Sequence, residues 1–112
     1  MMATIRRIED ISQLDGLLNG ANGQPVWIFK HSLTCPISAA AWMEFQQFAG
    51  DQPEDGAVYA LVEVQRARQV CNEVALRTGV RHQSPQAILL RDGSVAWHAS
   101  HWAIDAVSLQ RA

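Results

Sequence analysis

Two long apolar runs constrain the fold of this chain more than any other feature of its sequence. "VWIFK" (26–30) and "AVYALVEV" (57–64) lack the regular polar alternation of a strand with one wet face. They therefore predict strands that are buried on both faces of a sheet. A helical pattern follows each run, over residues 36–50 and 65–79. Strands that alternate with helices in this way predict right-handed parallel crossovers and an α/β fold.

The segments on either side extend the predicted sheet. Residues 3–8 predict a short strand, and residues 10–20 predict a helix with leucines at helical spacing. "QAILLRDGSVAWHA" (86–99) predicts a β-hairpin that adds antiparallel strands to the sheet, because Asp92-Gly93 stands between two β-rich runs. The last residues, 102–112, predict a closing helix.

The composition fits one globular domain over residues 1–112, and it gives no sign of a nucleic-acid or membrane partner. Hydrophobic residues form 48% of the chain, which is enough for a packed core. The net charge of −2 and the lack of any block of like charge exclude a typical nucleic-acid surface. No apolar stretch approaches the ~20 residues that a membrane helix needs. Two cysteines are too few for a disulfide scaffold, so we expect a cytoplasmic protein.

A single thiol stands at the junction between the first apolar strand and its helix. In "HSLTCPISAA", Cys35 is flanked by Thr34 and by Pro36, a residue suited to the first helical position. The carboxyl ends of strands form the edge where α/β proteins gather their chemistry. Free N–H groups and the helix dipole favour a thiolate there, and Lys30 and His31 are expected to add positive charge beside it. Cys35 is therefore a predicted nucleophile, and an inert core cysteine is the alternative.

No second cysteine follows within one turn of Cys35. Ser38 occupies the position at which a dithiol enzyme carries its resolving thiol. Cys35 must then be resolved by a second molecule or by Cys71. Because Cys71 shares a helical row with Val74 and Ala75, we expect it to be buried and inert, and a resolving role is the alternative.

Two further motifs are predicted to reach the same edge of the sheet. In "HQSPQ", Ser84-Pro85 precedes an apolar strand; in a thioredoxin-type sheet such a proline is expected to be cis and to face the cysteine, and a trans proline that only starts the strand is the alternative. In "WHASHW", the returning hairpin strand carries His98, His101 and Trp102 toward that edge. They predict a ligand groove, with an aromatic lid over the core as the alternative. H-x-x-H spacing alone does not make a metal site, and we expect no metal.

Together these features predict a thioredoxin-like fold, a mixed sheet of four to five strands flanked by helices on both faces. The motifs "TCPIS" (34–38), "TGV" (78–80), "HQSPQ" (82–86) and "WHASHW" (97–102) resemble the YtxJ-like bacillithiol-system proteins, the monothiol bacilliredoxins. The resemblance spans nearly the whole chain, and it departs at Cys71, where the family pattern carries serine.

The resemblance implies that the chain removes bacillithiol from S-bacillithiolated client proteins in the cytoplasm. Cys35 matches the active cysteine of the family and Pro85 its cis-proline. The resemblance implies no bound cofactor and makes bacillithiol the thiol co-substrate. Two alternatives remain: a thioredoxin-like binding or adaptor module without turnover, and a thiol peroxidase or an arsenate-reductase-like enzyme.

Bacillithiol carries a malyl group with two carboxylates, which need cationic or hydrogen-bonding partners. An arginine suits bidentate carboxylate pairing best, and Arg68 is expected in the first turn of its helix. The predicted substrate-binding residues are Lys30, His31, Arg68, His82, His98, His101 and Trp102.

Overall fold

A computed structural model describes residues 3–112 as one five-stranded sheet with helices on both of its faces. In chain order the elements are β1 (Ile5–Arg7), α1 (Ile11–Asn19), β2 (Val26–His31), α2 (Pro36–Gly50), β3 (Val58–Glu63), α3 (Arg68–Thr78), β4 (Gln86–Arg91), β5 (Ser94–Ser100), a 3-10 turn (His101–Ala103) and α4 (Ala106–Arg111). The predicted α/β class and mixed sheet are confirmed. No helix within residues 3–112 is long and apolar enough to span a membrane.

The strand order is β1-β3-β2-β4-β5, and the strand directions decide where the site lies. β1, β3 and β2 are parallel, whereas β4 is antiparallel to β2 and β5 is antiparallel to β4. Lys30 of β2 therefore pairs with Gln86, the first residue of β4, and Gln86 pairs with Ser100, the last residue of β5. The ends of β2, β3 and β5 and the start of β4 consequently share one edge of the sheet.

The connection through α3 is not a parallel crossover: β4 lies antiparallel to β2, and the final hairpin adds antiparallel strands to the sheet, as predicted. This helix runs away from the shared edge, and Thr78 at its end lines a cavity with Val26 and Gly93 at the opposite edge. Gly79 ends the helix in the left-handed conformation, at φ 72°. Residues 79–85 then run back to the shared edge before β4 begins. Hydrophobic periodicity reports burial and not the course of a loop, so the path of this return comes from the structure and not from the sequence pattern.

Each face of the sheet carries its own core, and β2 contributes to both. Val26 and Ile28 pack on the face covered by α1 and α3, in a core of aliphatic residues. Trp27 and Phe29 pack on the other face, against α2 and α4, in a core rich in aromatic rings. Both apolar runs are thus buried on two faces, as predicted. Lys30 continues the alternation and is also fully buried.

Two predicted helices begin later than the sequence pattern indicates. The helix predicted over residues 65–79 begins at Arg68, because the N–H groups of Arg66 and Ala67 first close a turn on the Glu63 carbonyl. The predicted closing helix, 102–112, is divided into the 3-10 turn and α4. Asp105 accepts a hydrogen bond from the Ser108 N–H and starts α4 by a capping box.

Candidate thiol site

Cys35 occupies the N-cap position of α2, at the shared edge of the sheet. Its backbone is extended, its side chain is half-buried, and its thiol is free. Pro36 is the first helical residue, and the Ala39 N–H donates to the Cys35 carbonyl at 3.0 Å. No side chain caps the first turn of α2. An N-cap side chain normally accepts from the N–H groups of the second and third helical residues, so a Cys35 thiolate fits this position.

Ser38 lies one turn after Cys35, and its hydroxyl is committed to the loop before it. The Ser38 side chain is fully buried, and its Oγ accepts from the Ser32 N–H at 2.8 Å. The same Oγ lies 2.8 Å from His31 Nδ1. We assign the hydroxyl proton to this second contact, because a neutral imidazole with a bare Nδ1 accepts it. Both hydrogen-bonding roles of Ser38 are then engaged.

The His31 ring completes this arrangement without a positive charge. It stacks on the Trp42 ring, with 5.8 Å between ring centroids and 24° between planes. Burial lowers the pKa of His31, and nearby Glu63 opposes this only in part. His31 is therefore neutral at neutral pH, and the expectation that it adds positive charge beside Cys35 is wrong.

Gln65 holds the Cys35 loop against the loop that follows β3. Its Oε1 accepts from the Leu33 N–H at 3.0 Å, and its Nε2 donates to Ser32 Oγ at 3.0 Å and to Thr34 Oγ1 at 3.4 Å. Sequence reasoning missed this residue. Its place directly after a buried strand was an available signal, since side chains at carboxyl ends of neighbouring parallel strands meet.

Lys30 and His31 were expected to act together, but they extend to opposite faces of the sheet. Lys30 points into the core beneath α3, where its Nζ lies 3.2 Å from His82 Nδ1. Burial lowers the pKa of Lys30. Its neighbour across the strands, Gln86, is also buried, and the Gln86 Oε1 has no hydrogen-bond partner in the described structure.

The Ser84–Pro85 peptide bond is cis, as predicted. Pro85 is buried directly before β4, and its carbonyl accepts from the His101 N–H at 3.1 Å. This hydrogen bond joins the proline loop to the 3-10 turn at the end of β5. His101 has a φ of 54°, in the left-handed region that few residues other than glycine adopt.

Trp102 is 72% exposed beside this junction, so it is not a lid over the core. Ile104, which is buried in the aromatic-rich core, fills that place. Trp102 and His101 thus stand at the shared edge as the groove hypothesis requires. His98 is set back from it, because it pairs with Ile88 inside the hairpin and its side chain is exposed.

On the α3 side, Arg68 and His82 stand close together. Arg68 is the first residue of α3 and is exposed. Burial lowers the pKa of half-buried His82, and the charges of Lys30 and Arg68 lower it further. Arg68 is a solvent-exposed cation whose charge acts on His82.

Cys71 lies away from this edge, inside the aliphatic core. It is the fourth residue of α3 and is 1% exposed, in the same core as Val70 and Val74. Burial raises the pKa of its thiol, whereas Lys30 and Arg68 oppose that shift. The predicted burial of Cys71 is confirmed, and its thiol is free. Among residues 3–112, no three His, Cys, Asp or Glu side chains are placed to hold a metal ion.

Comparisons with known proteins agree with this geometry. The family model described as monothiol bacilliredoxin BrxC matches residues 6–109. A solved structure described as a proposed oxidoreductase with a thioredoxin fold is 31% identical, with a TM-score of 0.83 over 96% of this chain and 91% of that one.

Two thioredoxins show the same fold at lower identity. The Malassezia sympodialis thioredoxin Mala s 13 is 17% identical, with a TM-score of 0.76 over 97% of this chain and 87% of that one. The Fasciola hepatica thioredoxin is 16% identical, with a TM-score of 0.75 over 95% of this chain and 93% of that one.

Proposed function

The chain belongs to the monothiol bacilliredoxin family and is a thiol-disulfide oxidoreductase of thioredoxin fold; on that premise we propose that it removes bacillithiol from S-bacillithiolated proteins through Cys35. We further propose that it does so in the cytoplasm, with bacillithiol as thiol co-substrate and without a bound cofactor. Its partners are then client proteins that carry bacillithiol on a cysteine.

The reaction is two successive thiol-disulfide exchanges. The Cys35 thiolate attacks the bacillithiol sulfur of the client disulfide, and the client thiolate leaves and takes a proton from solvent. Cys35 now holds bacillithiol in a mixed disulfide. A second thiolate, from free bacillithiol or another redoxin, attacks that bacillithiol sulfur and releases the Cys35 thiolate. Each step exchanges one S–S bond for another, so no external oxidant is needed.

One observation carries this proposal: the Cys35 site has a half-buried thiol at a helix N-terminus but no second thiol to resolve it. Ser38 cannot form a disulfide, and its hydroxyl is engaged by Ser32 and His31. A site of this kind suits the transfer of a small thiol, which a second molecule removes, better than internal dithiol chemistry.

The substrate is expected to lie between two groups of residues at the shared edge. Arg68 offers a bidentate partner to a carboxylate on the α3 side, next to His82. His101 and Trp102 form the opposite side, and the Ser84 backbone beside cis-Pro85 lies between them. His31 and Lys30 act indirectly, because each is engaged by a neighbouring side chain.

The test uses a folded client protein that carries bacillithiol on its single cysteine. Reduced protein and free bacillithiol are added, and intact mass follows the loss of the cap. We expect release that depends on Cys35 and that Cys35→Ser abolishes. If the folded wild-type protein releases the cap no faster than Cys35→Ser does, transfer is refuted and a binding module without turnover is favoured.

A further inference from the structure

Lys30 is a buried amine without an acidic partner. It is 0% exposed at the end of β2. The ion pairs described within residues 3–112 all join arginines to acids, and none includes Lys30. Taking an amine out of water without a counter-ion is unfavourable, which is why lysines are almost never fully buried unless paired. Neither exchange step of the proposed transfer uses the Lys30 amine.

The contacts of Lys30 lead to the proline loop. Its Nζ lies 3.2 Å from Nδ1 of His82, which precedes cis-Pro85 by three residues. Gln86 fixes the same loop, because its Nε2 donates to the Arg81 carbonyl at 2.9 Å. Gln86 also pairs with Lys30 across the sheet and offers a buried, unpartnered Oε1 on the same face. The amine thus contacts the imidazole, and its cross-strand neighbour Gln86 carries an unpaired acceptor on the same face of the sheet.

These contacts determine which nitrogen of His82 carries the proton. With Lys30 Nζ as the donor, His82 Nδ1 accepts the hydrogen bond and the ring proton is on Nε2. Burial and the nearby charges keep His82 neutral at neutral pH. Nδ1 faces the fully buried amine, so the half-exposed side of the ring presents Nε2–H toward the shared edge.

We propose that Lys30 is a positioning residue that holds His82 in the Nε2–H tautomer, and that His82 uses this hydrogen to bind a carboxylate of the small-thiol substrate. Lys30 acts through its hydrogen bond to Nδ1, and no proton is transferred. The inference rests on the proposed function for the identity of the substrate. The tautomer itself is a property of the free protein.

The first test measures the tautomer directly, by ¹⁵N NMR of the His82 ring in the free protein. We expect a protonated Nε2 and a bare Nδ1 in the wild type. In Lys30→Met, whose side chain fills a similar volume, we expect a mixture of tautomers and a raised pKa of His82. A wild-type Nδ1–H tautomer, or a Lys30→Met spectrum identical to the wild type, overturns the proposal.

The second test separates the donor from general stability. The glutamine amide nitrogen reaches the position of Nε2, whereas the asparagine amide nitrogen reaches that of Nδ1. With a carboxylated cap, His82→Asn should raise KM roughly tenfold or more, and His82→Gln should retain most of the affinity. With a neutral 2-mercaptoethanol cap, the two variants should show the same KM as each other, because that cap offers the donor no carboxylate.

Equal losses for both caps, or equal losses in both variants, refute a donor to the carboxylate. If the wild type transfers no cap at all, the proposed function fails. The tautomer measurement still decides the role of Lys30 in that case, because it needs no substrate.

Discussion

Cys35 and Cys71 are the two thiols of this chain, and their surroundings differ in the features that control thiol reactivity. Cys35 is half-buried in a loop at an uncapped helix N-terminus. Cys71 is 1% exposed, and burial raises its pKa even though Lys30 and Arg68 are near. The comparison teaches that the edge of the sheet, and not the residue type, makes the candidate nucleophile.

Ser38 adds a second contrast, since it stands closer to Cys35 along the chain than Cys71 does. Its hydroxyl ties the Ser32 backbone and the His31 ring to the first turn of α2. The residue that replaces a resolving thiol thus has a structural task of its own. The monothiol site therefore has two features at position 38: it lacks a second cysteine, and the Ser38 hydroxyl holds the surrounding loop by hydrogen bonds.

The largest effect is expected from exchanging each thiol in turn. Cys35→Ser should abolish transfer of bacillithiol from a client, because serine cannot form the mixed disulfide. Cys71→Ser should leave transfer nearly intact, since its side chain lies in the aliphatic core. The rate of cap release measures both variants. A Cys71→Ser protein that accumulates an unresolved bacillithiol adduct contradicts the monothiol mechanism.

Ser38→Ala should lower the free energy of unfolding by about 1–3 kcal/mol, because it leaves the Ser32 N–H and the His31 ring without their partner. Urea denaturation measures the change. Ser94→Ala, at an exposed position in β5, is the matched control and should change stability by less than about 0.5 kcal/mol. Equal effects of the two changes disprove the structural role of Ser38.

Cys71→Ser should also destabilise the fold, by about 1–2 kcal/mol, because it places a hydroxyl in an aliphatic core. Cys71→Ala removes the sulfur without adding a polar group, and it separates the polar cost from the lost volume. Urea unfolding curves of the two variants give the comparison. A serine variant as stable as the wild type would show that the core around Cys71 is more polar than its residues indicate.

The smallest expected effect is a pH dependence from His31. Its folded pKa is lowered by burial, so the unfolded state binds protons more readily. The contribution of neutral His31 to the free energy of unfolding is therefore complete above about pH 6.5, the ordinary pKa of histidine. It is lost as the pH falls from there toward the lowered pKa of the folded state. His31→Asn should flatten this part of the stability curve. An unchanged pH dependence in that variant assigns the effect to other groups.

Much of the fold follows from the sequence because burial leaves a pattern in it. The runs at 26–30 and 57–64 predict strands buried on two faces, and Pro36 marks the start of α2. The Cys35 junction then follows from chain order alone. The antiparallel hairpin also follows from the sequence, whereas the path by which residues 79–85 return along the sheet does not.

The site is less predictable, because its contacts join residues that are far apart in the chain. Nothing in the pattern around Lys30 and His31 indicates that one is buried against His82 while the other stacks on Trp42. Gln65 is an ordinary polar residue until the sheet brings it to the Cys35 loop. Strand alternation places neighbours on opposite faces, but the partners they meet there come from the tertiary fold.

The most direct test of the central claim is the site at which a small thiol attaches to the unmodified protein. Reduced wild-type protein is incubated with bacillithiol disulfide in the native state, and the adduct is located by peptide mass spectrometry. We predict one bacillithiol on Cys35 and none on Cys71. An adduct on Cys71, or an intramolecular Cys35–Cys71 disulfide, would contradict the account.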